Sequence, residues 1–293
     1  MSQGKKLPSR PAIAAQEVLF GGPAEPPEWD DRAEGPLRVL VSVKAAPNPS
    51  EAYGETVCVA GLRLDPGHEG WVRLYPVNFR FLEEEHTFRK YDVISLRATP
   101  ANEARRESWR PHIDTIQTEN HLDGWAARLL YLLPHASVTM CDLNRRARGG
   151  GPSLGLVHAR TVDGLDVEEH PGWTSDEKRK IDGFLAQTEL FETGRPKTAL
   201  EAPQFRAFFR WRCRDESCDG HRQGLLDWEF TAFQRRLIGS IADREAAIRG
   251  RWLDQVCATE RDVFFYVGNQ AKRHHVFSVL GVVYPKRQNA PRR

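Results

Sequence analysis

A chain of 293 residues exceeds the usual single-domain size, so it carries material for one large domain or two modest ones, each able to bury a core. Its 40% hydrophobic and 28% charged residues are ordinary globular proportions, and no apolar run approaches the ~20 residues a bilayer span needs, which argues against an integral membrane helix. The net charge of +2 conceals a bias: of 42 basic residues nine are Lys and 33 are Arg. Arg is the side chain whose planar fork suits phosphates and base edges, although a GC-rich coding sequence enriches it too.

The first 36 residues, rich in Pro, Gly, Ala and Glu, show no sustained period and read as a disordered arm. They contain no secretory apolar stretch, so the expected address is the cytoplasm. Order begins with LRVLVSV, where Leu37, Val39, Val41 and Val43 alternate as in a strand with one buried face. Thr56 to Gly61 reads as a strand or a short buried helix, Trp71 to Val77 as a strand, and Tyr91 to Arg97 as another after a polar helical turn. Short β segments with little helix between them predict a small barrel or curled sheet over residues 37–120.

Residues 121–200 read as a mixed, largely helical connector. LDGWAARLLYLL is helical up to Pro134, NRRARGGGPS is a loop, SLGLVHA is strand-like, and Thr174 with Glu177 has capping-box spacing that opens a helix to about Leu190. The Pro-containing GRPKTALEAPQ marks a boundary near residues 194–204. Beyond it, residues 201–293 are expected to form a C-terminal α+β domain: a strand FRAFFRWRC, a long helix or helix pair from Leu225 to Val256 with Arg235, Arg236, Arg244 and Arg251 off its apolar side, and two closing strands. The fold class is therefore α+β.

Five cysteines scattered over the chain are poor material for a disulfide framework and are expected to be reduced. Three groups form the sharpest local pattern, Cys213, Cys218 and His221, a spacing at which two thiolates and an imidazole can hold a tetrahedral Zn²⁺ in a structural knuckle. The fourth ligand must come from elsewhere, with Cys257, His274, His275 and Asp219 as candidates. The bland alternative is two small buried thiols beside a turn histidine. Asp227 and Glu229, flanking Trp228, could bind Mg²⁺ for phosphodiester cleavage if they shared a strand face; at a helix start they read instead as an N-cap and a dipole-favoured first-turn acid. Gly149 to Gly151 lack the Lys-Ser/Thr of a phosphate loop.

A second constellation gathers Arg97, Arg105, Arg106, Trp109 and Arg110 just after a barrel strand. Arginines interleaved with an aromatic can neutralise phosphates while the ring stacks on a base; the bland alternative is a solvated loop with the Trp turned inward. The stretches YGETVCVAG, GWVRLYPV, FRKYDVISL, FRWRCRDESCDGH and DWE resemble an uncharacterised family of bacterial proteins from about residue 37 to the end, a likeness that implies no activity. The early β segments also resemble a PUA or ASCH barrel, which implies an association with RNA or modified bases. Together these readings predict a non-catalytic nucleic-acid-binding protein, for RNA or DNA, with a structural zinc. A metal-dependent nuclease using Asp227 and Glu229, or a structural subunit of a larger assembly, are the alternatives.

Overall fold

The computed structural model describes residues 33–50, 54–78, 82, 84–103, 105–136, 138–189, 198–270 and 273–287. All but the last four residues of the expected N-terminal arm lie outside this set. Strand β1 (Gly35–Lys44) shows the predicted alternation as far as Val41: Leu37, Val39 and Val41 enter one core, while Val43, expected on that same face, lies past a bulge between Val41 and Val43 and joins Leu40 in a second core on the opposite side. Burial on both faces explains why the strand reads as a nearly continuous apolar run.

Strand β3 (Gly54–Arg63) lies antiparallel to β1, and β4 (Gly70–Val77) antiparallel to β3. A parallel strand β6 (Ser108–Pro111) follows β4 in the sheet and pairs antiparallel with β5 (Asp92–Pro100), which returns to β1. The circuit β1-β3-β4-β6-β5-β1 is a closed five-stranded barrel, so its central strands have no free edge. Strand β2 (Asn48–Ser50) adds to β3, and β7 (Gln117–His121) to β5. The segment left open between strand and helix, Thr56 to Gly61, is strand. At Gly61 a Cβ would stand 2.4 Å from the Leu40 carbonyl oxygen, so only glycine permits β1 and β3 to approach this closely.

The second sheet has five strands in the order β10-β9-β8-β11-β12. Its spine is β8 (Leu154–Glu169), whose first part pairs with β11 (Phe264–Gln270) and whose longer remainder pairs with β9 (Phe205–Cys213). Residues assigned from sequence to a connector and to a C-terminal domain thus share one sheet. It curls into a half-barrel: Leu225, just past β10 (His221–Gly224), bridges Val279 of β12 (Arg273–Val283). Phe209, Trp211 and Phe265 fill its concave side.

Among the described residues, five α-helices complete an α+β protein: α1 (Gly124–Leu132), α2 (Met140–Ala147), α3 (Ser175–Glu189), α4 (Trp228–Gln234) and α5 (Ile241–Arg249). The capping box expected at α3 is present, with Glu177 accepting from the Thr174 amide at 2.8 Å and the Thr174 hydroxyl accepting from the Glu177 amide at 3.3 Å. One expectation changes: Asn144 to Ala147, the start of the stretch expected as a loop, lies in α2. Of the two readings for the C-terminal helical region, the helix pair is the one found: the chain breaks at Gly239, where φ is +105°, and Ser240 with Asp243 starts α5 by its own capping box. A π-helical turn, Gly250–Gln255, continues α5. Barrel and half-barrel meet through a shared core in which Leu40, Leu62 and Tyr91 pack with Leu156, Phe264 and Tyr266.

Candidate metal centre

Strand β9 ends at Cys213, and the chain reverses before β10 begins at His221. Asp215 organises this reversal: its Oδ1 accepts from the Ser217 amide at 3.0 Å and the Ser217 hydroxyl at 2.6 Å, while its carbonyl accepts from the Cys218 amide at 3.2 Å. These bonds hold the Asp215 carboxyl below the usual carboxylate range. Gly220, at φ +119°, allows the last bend, and the His221 ring then lies 4.9 Å from the Trp211 ring. The three residues singled out in the sequence are therefore brought together, between two strands rather than between a strand and a helix.

The fourth group is Cys141, in the first turn of α2. Thr139 caps that helix by accepting from the Asp142 amide at 3.1 Å, and the same hydroxyl donates to Asp215 Oδ2 at 3.4 Å, tying the helix start to the reversal. Among the described residues, neither Cys257, His274, His275 nor Asp219 joins the cluster; the Cys257 thiol is directed to the Trp252 carbonyl at 3.5 Å.

The four ligand atoms lie within 4.8 Å of one another. Cys141 Sγ to Cys213 Sγ is 3.7 Å, and His221 Nε2 stands 3.8, 3.5 and 3.2 Å from the sulfurs of Cys141, Cys213 and Cys218. A tetrahedral Zn²⁺ with ordinary bond lengths sets sulfur–sulfur edges of about 3.8 Å and sulfur–nitrogen edges of about 3.6 Å. The Cys141–Cys213 edge and the edges from His221 to Cys141 and Cys213 match these lengths to within about 0.2 Å, while the His221–Cys218 edge, at 3.2 Å, is shorter. Its sulfur pair is far too long for a disulfide, and all five cysteines are free thiols. Burial lowers the His221 pKa, which keeps the ring in the neutral form that can ligate. Burial, followed by the neighbouring Cys213 and Cys218 sulfurs, pushes the Cys141 thiol up to about 12. Several thiolates cannot crowd together without a cation among them. This Cys3His set can hold a metal ion such as zinc, and Cys213 and Cys218 are buried, as in a closed structural site.

The arginine-rich constellation is divided by the barrel wall. Trp109 is 3% exposed and packs in the barrel core among Leu74, Leu96 and Ile116, with the Arg63 guanidinium 5.5 Å from its ring. Its ring is therefore turned inward, which corrects its expected role as a stacking platform. Arg105 is mostly buried and doubly bonded to Glu103 at 2.7 and 2.9 Å. Arg97, Arg106 and Arg110 remain exposed. Thr99 pairs with Arg110 across β5 and β6, so Arg97 and Arg110 stand diagonally on the outer face, with Arg38 beyond them opposite Ser95 on β1. Two acids share this face: Glu34 accepts from Arg97 at 2.9 Å and Glu119 from Arg38 at 2.7 Å.

The paired-carboxylate alternative does not find its geometry. Asp227 is the N-cap of α4, its Oδ1 accepting from the Glu229 amide at 2.8 Å, and Glu229 sits in the helix rather than beside Asp227 on a strand face. Asp227 Oδ2 faces the buried Lys90 ammonium at 3.5 Å, and Glu229 stands 3.8 Å from the same nitrogen. The cation site between these acids is already filled by a lysine.

These features define an α+β protein of barrel and half-barrel with a Cys3His cluster in the second that can hold a metal ion. Residues 135–293 match the domain of unknown function DUF8757, to whose family the chain belongs, and residues 36–134 match the domain of unknown function DUF8758. No curated protein matches the chain. Among solved structures, the crystal structure of the p204 HINb domain aligns at 12% identity over 85% of this chain and 94% of that one, with a TM-score of 0.32, too low to speak to fold or function. Among the described residues no helix is long and apolar enough to cross a membrane.

Proposed function

We propose that this chain is a non-catalytic nucleic-acid-binding protein whose half-barrel is held by a structural zinc at Cys141, Cys213, Cys218 and His221. The outer barrel face carrying Arg38, Arg97 and Arg110, with Arg106 in the loop before β6, takes the phosphates of RNA or DNA. The observation supporting the contact surface is the diagonal register of Arg97 and Arg110, which sets guanidinium groups side by side on one solvated sheet face. The ion pairs of Arg97 to Glu34 and of Arg38 to Glu119 do not disqualify this face. Exposed pairs are worth only about 0–1 kcal/mol, so a phosphate diester can displace them cheaply. Guanidinium can also meet phosphate through two parallel hydrogen bonds.

Four phosphate contacts give a slope of log affinity against log salt near −3.6 for a duplex and about −2.8 for a single strand. Fluorescence anisotropy with labelled single- and double-stranded RNA and DNA over a salt series reads both quantities. Replacing Arg97 and Arg110 by Ala together is expected to flatten the slope by about 1.4 to 1.8 and weaken every sequence alike. Absence of binding to all four polymers, or binding untouched by that double substitution, would remove the proposal.

A further inference from the structure

Beneath α4 lies a cavity of about 390 Å³ that neither the metal centre nor the barrel face uses. Asp227 forms part of its floor, Phe233, Trp252 and Tyr284 supply aromatic walls, and Arg236 and Arg251 contribute guanidinium groups. Its size is within the range of small-ligand sites, which begin near 300 Å³. The backbone beside it is unusual. Residues Gly250–Gln255 form a π-helical turn, a rare conformation that recurs at functional sites.

That turn has a geometric effect. Successive residues are rotated by about 100° in an α-helix but only about 80° in the wider π-helix. Arg251, Trp252 and Val256 would span about 140° of an α-helix; π-winding gathers them within about 80°, so all three face one cavity. An isolated apolar packing job would not require a charged Arg251 on the same wall as Trp252.

The polar groups are available for a ligand. Arg251 makes only long contacts, 3.3 Å to Gln255 Oε1 and 3.4 Å to the Tyr284 hydroxyl, and Arg236 is exposed. Asp227 Oδ2 is buried with the Lys90 ammonium as its 3.5 Å partner, and among the described residues the buried Trp252 indole N–H has no acceptor. Gly281 keeps this corner open, since a Cβ there would lie 3.1 Å from Lys90 Nζ and 3.2 Å from Asp227 Oδ2. The lining carries Arg236 and Arg251 against Asp227 and Glu229, and Lys90, which does not itself line the cavity, stands 3.5 Å from Asp227 and 3.8 Å from Glu229, so the two guanidinium groups are not the only cations those acids face.

We infer that this cavity binds a single nucleotide: a flat heteroaromatic base against the Phe233, Trp252 and Tyr284 walls, its N–H edge toward Asp227, and its phosphate between Arg236 and Arg251. An aromatic wall accepts a flat ring, a carboxylate accepts ring N–H groups, and two guanidinium groups clamp a phosphate. The nucleotide is either a free 5′-monophosphate or one unstacked unit of a strand. The second source rests on the nucleic-acid reading above; the first does not.

The test uses the full-length, metal-loaded protein. Titration calorimetry with AMP, GMP, CMP and UMP, with the corresponding nucleosides, and with an eight-nucleotide RNA and DNA separates the two sources. Arg236→Gln and Arg251→Gln, which sit at the cavity wall, are expected to weaken monophosphate or oligonucleotide binding about tenfold or more while the melting temperature holds. Nucleosides are expected to bind more weakly than their monophosphates. Monophosphate binding that survives Arg97→Ala/Arg110→Ala but falls with Arg251→Gln supports a free nucleotide. Oligonucleotide binding that falls with Arg251→Gln, without monophosphate binding, supports the strand. Oligonucleotide binding that falls only in the barrel-face variant sustains the proposed function and overturns the cavity inference. If no monophosphate binds and Arg251→Gln changes no oligonucleotide affinity, the inference is overturned.

Discussion

Removing the metal should act like cutting a cross-link around β8 and β9, the two central paired strands of the half-barrel. Cys141 and Cys213 are 72 residues apart in sequence, and an ion joining them closes that loop in every state in which it stays bound. By the chain-entropy relation used for disulfides, closing a loop of this length is worth about 4 kcal/mol, before any favourable metal–ligand enthalpy. At roughly 2–4 °C per kcal/mol for a domain of 150–250 residues, a strong chelator should lower the melting temperature by on the order of 8–16 °C. Elemental analysis of the purified protein should find one zinc per chain. Cys141→Ser and Cys218→Ser should each lose the metal and melt near the chelated wild type, while Cys257→Ser should keep both metal and melting point. The reasoning fails if Cys141→Ser retains stoichiometric zinc, or if chelation strips the ion without moving the melt.

Two further outcomes follow from buried charge. Lys90→Met strands the Asp227 carboxylate, whose pKa burial already pushes up to about 6 against the pull of Lys90, and should cost roughly 3–5 kcal/mol in urea unfolding. Adding Asp227→Asn, which keeps an oxygen for the cap, should recover more than 1 kcal/mol or so of that loss, and strictly additive costs would refute the coupling. His158, stacked 4.1 Å from the Phe264 ring, has its pKa lowered to about 4 by burial and then by Arg214. A folded-state pKa below the unfolded 6.5 means its neutral form supports the fold above that pH, and this support fades as pH falls from 6.5 toward 4. The loss by pH 5 is about 2 kcal/mol, so His158→Phe should show a shallower acid decline than wild type; parallel curves from pH 7 to 5 would contradict it.

Local periodicity made the barrel legible. The alternation in Leu37 to Val41 reports side chains on two sides of a strand, which needs no long-range knowledge. The same rule, applied to residues 108–111, separates Trp109 from Arg110, because neighbours in a strand face opposite ways; composition alone had grouped them. Three metal ligands were readable because the reversal that gathers them is nine residues long, from Cys213 to His221. Cys141 was not, since only the packing of α2 against the β9–β10 turn brings it there. One local signal pointed toward it: Thr139 with Asp142 has the spacing of a helix start, which would have turned a supposed Gly-Arg loop into a short helix presenting Cys141 in its first turn. Ser240 with Asp243 carried the equivalent message about the broken C-terminal helix.

The metal centre and the cavity are joined by one short length of backbone. His221 opens β10, and six residues later Asp227 caps α4 and forms part of the cavity floor. Between them Leu225 bridges β12, and Asp227 itself bridges Ala45 at the end of β1, so this segment is also a seam between half-barrel and barrel. Lys90 reaches Asp227 from the barrel side, which makes their buried ion pair a polar fastening across that seam. β10 is only four residues long and is an edge strand of its sheet. Such a strand gains little from its ladder alone and needs restraint at both ends to hold one conformation. An ion held at Cys218 and His221 would supply the restraint at one end, and the capped, lysine-paired Asp227 supplies it at the other. A centre of this kind can shape a distant pocket without contributing any atom to it.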